Sequence, residues 1–192
     1  KNQIDFCKKR VKELNLENQV QFDLIDYRET KGKFDRIYSV GMFEHVGKKF
    51  YKSFFKTVDR LLDEDGIFLL HTIGSVNAPA PPNKFINKYI FPGGVVPTLS
   101  QIIKPIEKTG LIVADTETLI RHYDKTLESW LERFENKKSL VKELFDEKFV
   151  KMWEFYLASC AAAFKYRDLV VFQLQIVKKF QAAHITRDYI YS

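Results

Sequence analysis

Apolar and polar positions change period several times along the chain, and each change marks an element. Ile4, Cys7, Val11 and Leu14 recur at steps of three and four, which predicts a helix over residues 1–14. Residues 20–24, Val-Gln-Phe-Asp-Leu, alternate as a half-buried strand does and run into the polar cluster Asp26, Tyr27 and Arg28. Ile37, Tyr38 and Val40 form a short β-favouring run that Gly41 breaks. A buried strand is therefore expected to close near Phe43, with Glu44 and His45 just past its carboxyl end. The alternative at Glu44 and His45 is the acidic first turn of the next helix. Tyr51, Phe54, Phe55, Val58, Leu61 and Leu62 mark an amphipathic helix. Asp65-Gly66 predicts a turn, and residues 67–70 a fully apolar strand ending at His71.

Residues 76–97 break this rhythm. They hold five of the six prolines (Pro79, Pro81, Pro82, Pro92, Pro97) and the pair Gly93-Gly94. Long connections inside compact domains are usually functional, so residues 77–97 are expected to cover a substrate, with a passive connector as the alternative. A helix interrupted near Pro105 follows over residues 99–109, ended by Gly110, then a strand over 111–119. Leu127, Trp130, Leu131 and Phe134 share one face of a helix over 126–134. A longer helix over 140–164 carries the stripe Phe149, Trp153, Tyr156, Cys160 and Phe164, and residues 170–177 form a last strand. The tail from Lys178 is basic and aromatic. Strands alternating with helices imply a parallel α/β sheet, in which ligands sit at the carboxyl ends of the strands.

Composition narrows the partners. A chain of 192 residues with 45% hydrophobic and 29% charged content suits one globular domain. The 17 Phe and 9 Tyr would suit an apolar pocket, although core packing uses most aromatics. The formal charge of +6 raises nucleic acid and anionic membranes as partners. No zinc-ligand spacing and no run of five basic residues occurs, so neither a metal nor nucleic acid is expected. Cys7 and Cys160 make no disulfide framework, which fits a reducing cytoplasm. No apolar run approaches the ~20 residues of a spanning helix, so membrane contact would be peripheral.

Three blocks carry a family resemblance: residues 34–47 (Phe-Asp-Arg-Ile-Tyr-Ser-Val-Gly-Met-Phe-Glu-His-Val-Gly), 68–74 (Phe-Leu-Leu-His-Thr-Ile-Gly) and 87–93 (Asn-Lys-Tyr-Ile-Phe-Pro-Gly). In this order they closely resemble the cyclopropane-fatty-acyl-phospholipid synthases. These are S-adenosylmethionine-dependent methyltransferases, grouped with the mycolic acid cyclopropane synthases. The resemblance runs from Lys1 to about Lys178. It implies a class I methyltransferase fold, Rossmann-like α/β, with a helical insertion before the last strand. The glycine-rich cofactor turn of such folds lies upstream of the block matching Lys1-Asn2-Gln3, and no Gly-x-Gly precedes Gly93. The expectation is an amino-terminally truncated, single partial catalytic domain over residues 1–192.

The resemblance also implies site residues. Lys1-Asn2-Gln3 matches a segment whose Gln contacts the cofactor; a Gln in a first helical turn can reach a ribose hydroxyl, or simply be an exposed helix start. Asp26-Tyr27 falls where adenine lies, Asp accepting its amino group and Tyr offering a stacking face, with Arg28 next; ordinary loop polarity is the alternative. Bicarbonate is implied as the base, held by Glu44, His71, the backbone N–H of Ile73, and Tyr123. Taken alone, His71 reads as a backbone-bonded core histidine and Tyr123 as a half-buried packing residue. Cys160 matches a cysteine counted in the family's active site, but its place on an apolar helical stripe argues for packing or pocket lining.

The implied reaction makes physical sense of this set. A sulfonium methyl is strongly electrophilic, an isolated alkene is a poor nucleophile, and their union leaves a carbocation. The protein must exclude water, stabilise the cation and position a base for the new methyl's proton. The implied partners are unsaturated phospholipid acyl chains at the inner membrane face, approached peripherally from the cytoplasm; the resemblance leaves room for a homodimer. Two rivals stay open. One is a related lipid methyltransferase giving a methyl-branched or hydroxylated chain. The other is a non-catalytic fragment of such an enzyme.

Overall fold

The computed structural model describes residues 2–191, apart from the side chain of Asn2, and divides into two units, residues 1–32 and 33–192. The first opens with α1 (Asn2–Glu13), whose first turn carries Asp5 and last turn Arg10 and Lys12, the charge order that complements a helix dipole. Asn15, at φ 54°, takes the left-handed conformation that ends it. Residues 20–24 were expected as a strand and are irregular instead. A strand persists by hydrogen bonding to a neighbour, and this segment has none among the described residues. A single 3₁₀ turn (Tyr27–Glu29) follows, capped by the Asp26 side chain.

The second unit contains β1 (Phe34–Val40), α2 (Phe43–Val46), α3 (Tyr51–Leu61), β2 (Leu62–Ser75), α4 (Lys84–Tyr89), α5 (Leu99–Ile106) and β3 (Ile112–Leu119). It continues with α6 (His122–Glu135), α7 (Lys138–Leu144), α8 (Glu147–Tyr166) and β4 (Leu169–Val177). The sheet order is β1-β2-β4-β3. β1 and β2 are parallel, whereas β4 runs antiparallel to both β2 and β3. The sheet is thus mixed rather than parallel. α8 delivers the chain to the carboxyl end of β2, where Leu169 pairs with Ser75, so β4 runs back along it between β2 and β3.

Several boundaries differ from the periodicity reading: β1 ends at Val40 rather than near Phe43, and α5 runs through Pro105 unbroken to end at Ile106. The Asp65-Gly66 turn is absorbed into β2 as an irregularity, with the register to β1 shifting between Phe34 and Arg36. A Cβ at Gly66 would stand 2.7 Å from Leu62 Cδ1 and 3.1 Å from the Asp35 carbonyl, so glycine admits the close approach of β1. The long helix over 140–164 is two: α7 stops before Phe145, and Asp146 starts α8 by accepting the Phe149 N–H at 2.6 Å. α6 begins at His122, four residues earlier than its stripe suggests.

Two apolar layers sandwich the sheet. Phe68 and Leu70 of β2 are fully buried on one face, where the Phe54 ring of α3 lies 6.1 Å from Phe68 and Phe43 stacks on Tyr51 at 4.2 Å. On the other face, Ile73 and Val171 meet a cluster of Leu127, Phe134, Val150, Leu157 and Phe164 from α6 and α8. Strand alternation sends Leu69, His71 and Ile73 toward this second layer.

Candidate active site

The site begins where the β1–β2 ladder stops. Gly41 N–H donates to the His71 carbonyl at 3.1 Å, then turns away at φ 64°. The next donor along β2, Ile73 N–H, meets no strand residue of β1. Glu44, in the first turn of α2, takes it: Glu44 Oε1 accepts from Ile73 N at 2.7 Å. The other oxygen, Oε2, is buried and has no hydrogen-bond partner among the described residues. Glu44 is 8% exposed, so this is a carboxylate removed from water with one acceptor unused, a costly arrangement for structure alone.

Two phenols feel that charge. Tyr123 lies in the first turn of α6, not ahead of the helix as its stripe suggested, and stacks on Phe164 at 5.0 Å. Burial, then the charges of Glu44 and Cys160, push its hydroxyl above the ordinary tyrosine value. Tyr51, stacked on Phe43, is pushed up to about 12 by burial and then by Glu44, and its hydroxyl has no hydrogen-bond partner among the described residues. Cys160 is half-buried, and burial raises its thiol to about 11. Tyr156 rises to about 12 from burial, then from Cys160 and Tyr123. Glu44 thus meets Ile73 directly, Tyr123, Tyr156 and Cys160 pack with Ile73 on one sheet face, and the Glu44 charge reaches Tyr123 and Tyr51; Tyr51 and Tyr156 are additions to the expected set. Sequence periodicity hid these two tyrosines, because both occupy apolar-stripe positions; the signal was a hydroxyl at the tip of each.

His71 follows the same strand two residues before Ile73, on the same face. Its Nδ1 lies 3.0 Å from Gln173 Oε1, and Gln173 Nε2 donates to Glu117 Oε2 at 2.8 Å. Asp124, fully buried in the first turn of α6, has neither oxygen hydrogen-bonded among the described residues and lies 3.8 Å from Arg121 Nε. The dipole of α6 favours a carboxylate there. Residues 77–97 reach back to the site: Val95 N–H donates to the Glu44 carbonyl at 2.8 Å, and Phe91 packs edge-on to His45 and Tyr156. The segment also contains α4, capped by Asn83, whose Phe85 meets Phe155 at 4.8 Å.

The residues matched to the cofactor lie in the first unit. Lys1 falls outside the described residues; Asn2 opens α1 and Gln3 is exposed. Asp26 is engaged by Arg28 through its N–H, its Nε at 2.9 Å and its Nη2, which brings the carboxyl down to about 2 and raises the guanidinium value. Burial raises the Tyr27 phenol. Among the described residues no group of three His, Cys, Asp or Glu could hold a metal ion.

Residues 1–174 match the family described as mycolic acid cyclopropane synthetase. The chain belongs to that family. The cyclopropane-fatty-acyl-phospholipid synthase of Escherichia coli is 44% identical over 151 residues, covering 79% of this chain and 39% of that protein. A probable fatty acid methyltransferase of Pseudomonas putida is 36% identical, over 96% of this chain and 48% of its own length. The crystal structure of a mycolic acid cyclopropane synthase complexed with SAH and CTAB superposes with a TM-score of 0.81 at 31% identity, covering 92% of this chain and 66% of that one. The chain therefore spans about two-fifths to one half of these curated relatives. The fold is that of the class I S-adenosylmethionine-dependent methyltransferases, as the resemblance implied.

Proposed function

We propose that the protein transfers a one-carbon unit from S-adenosylmethionine to the double bond of an unsaturated acyl chain in a membrane phospholipid, closing a cyclopropane ring. In this reading residues 1–192 belong to one catalytic domain, residues 77–97 cover the acyl chain, and the residues 1–3 and 26–28 contact the cofactor. The observation that carries it is Glu44, a buried carboxylate with one oxygen on Ile73 N–H and the other without a hydrogen-bond partner among the described residues. The names of the relatives support acyl-chain alkylation.

The residues fit a small protonated oxyanion, and bicarbonate is our assignment. Glu44 Oε2 would accept its O–H, and Tyr123 O–H would donate to another of its oxygens. Ile73 N–H reaches it only by leaving Glu44 Oε1. When bound, bicarbonate supplies a base and the cofactor an electrophilic methyl. The faces of Tyr123, Tyr156 and Phe164 exclude water and attract positive charge. Cys160 packs against the apolar cluster of α6 and α8, and a thiol raised to about 11 stays protonated at neutral pH, so its role is packing or pocket lining and not nucleophilic attack.

Incubating the full protein with S-adenosylmethionine and an unsaturated phospholipid tests the proposal. Cyclopropyl proton signals with loss of the alkene are expected; a lipid left unchanged would refute it. A methyl-branched product is the second reading, favoured by the Pseudomonas relative's name. Approach to the bilayer would be peripheral and electrostatic, since no described helix is long and apolar enough to cross a membrane and the formal charge is +6. Binding to anionic vesicles should weaken with salt, and equal binding to neutral vesicles would refute that mode.

A further inference from the structure

His71 belongs to a row of side chains that crosses the sheet. Val40 on β1 pairs with His71 on β2, His71 with Gln173 on β4, and Gln173 with Glu117 on β3. Paired residues project from one face, and neighbouring strands lie about 4.8 Å apart, a step that a glutamine side chain spans. Gln173 bonds both neighbours, at 3.0 Å to His71 Nδ1 and 2.8 Å to Glu117 Oε2. All three side chains are half-buried.

The chemistry of the far end sets the direction of the row. An ionised carboxylate only accepts hydrogen bonds, so Gln173 turns its NH2 to Glu117 and its carbonyl to His71. The reverse amide orientation would set an oxygen against the carboxylate. A carbonyl also only accepts, so the hydrogen of a neutral imidazole sits on Nδ1 and Nε2 carries a lone pair. We infer that Gln173 and Glu117 are positioning residues that hold His71 as its Nδ1–H tautomer, with Nε2, across the ring from Gln173, kept as an acceptor. The inference rests on placing His71 in the reaction site. There a neutral His71 offers Nε2 only as an acceptor, so it shares with Glu44 Oε2 the single O–H of a bound bicarbonate, and both disfavour a fully deprotonated oxyanion.

The test uses full protein labelled with ¹⁵N at histidine, whose His71 signals are assigned by their loss in His71→Asn. Two-bond ¹⁵N–¹H spectra of the neutral ring should show Nδ1 protonated and Nε2 bare. Glu117→Gln removes the fixed direction, since either amide end can then face the other, and should give mixed tautomers. It should lower kcat about tenfold to a hundredfold, the scale seen when an orienting partner is lost. The pair Gln173→Glu with Glu117→Gln puts a carboxylate directly on Nδ1–H and should restore both the spectrum and most of the rate. A bare Nδ1 in the unmodified protein, which needs no variant to fold, overturns the inference. So does a paired variant that folds and leaves the tautomers mixed. A tautomer that shifts in Glu117→Gln with product formation unchanged would instead remove His71 from the reaction site while leaving the row's role intact.

Discussion

Replacing Glu44 by Gln and by Ala separates a structural carboxylate from a chemical one. In Glu44→Gln the amide oxygen can still accept Ile73 N–H, the 2.7 Å bond that seals the end of the β1–β2 ladder. A charge-assisted bond becomes a neutral one, at a cost of about 1 kcal/mol. In Glu44→Ala the Ile73 donor loses its partner, which costs about 1–3 kcal/mol. For a unit of this size each kcal/mol lowers Tm by roughly 2–4 °C, so falls of roughly 2–4 °C and 2–12 °C are expected. The second oxygen is where chemistry shows. Oε2 is a buried acceptor with no partner among the described residues, and an amide NH2 there is a donor that cannot take an O–H. Turnover in Glu44→Gln should therefore fall by ~10²-fold or more, with cofactor affinity changed only a few-fold. Both variants should also bring the Tyr51 and Tyr123 hydroxyls down toward the ordinary tyrosine value, because the Glu44 charge helps raise them. Thermal melts, cofactor titration and product mass on the two variants decide the matter. Unmodified turnover with a lowered Tm would make Glu44 a ladder cap and refute its role in the reaction.

Other expectations follow from the same geometry. Cys160→Ala should keep turnover within a few-fold, and the thiol, raised to about 11, should alkylate slowly at pH 8; a hundredfold loss of rate would place the sulfur in the chemistry. Gly74→Ala would drive a Cβ into the Phe172 ring and put it 3.0 Å from the Pro97 carbonyl, overpacking worth about 1–3 kcal/mol, and an unchanged denaturation midpoint would refute that close approach. The Asp26 carboxyl is lowered from 3.8 to about 2 chiefly by Arg28, so its contribution is fully present above pH ~4 and is lost as the pH falls toward 2. In Arg28→Ala, NMR titration of Asp26 should return it toward the ordinary value; a midpoint still near 2 would mean that Arg28 is not the cause.

Much of the fold follows from local pattern. The amphipathic stripe over Tyr51, Phe54, Phe55 and Val58 and the apolar run before His71 became α3 and the core of β2, because burying one face is the strongest local demand on a chain. Family blocks in the sequence pointed to Glu44, His71, Ile73, Tyr123 and Cys160. Other features depend on partners far along the chain. Residues 20–24 alternate like a strand yet lack a neighbour to pair with among the described residues, and Asp65-Gly66 reads as a turn yet is drawn into β2 by β1. The capture of Ile73 N–H by Glu44 arises only because β1 stops at Gly41 while β2 continues. Glu117 and Gln173 are 56 residues apart and His71 and Gln173 are 102 apart, so no local spacing relates them. Their row exists because cross-strand register, which the tertiary fold alone sets, aligns three polar side chains on one face. Local periodicity can assign a residue to a face, but only strand pairing decides which residue stands beside it.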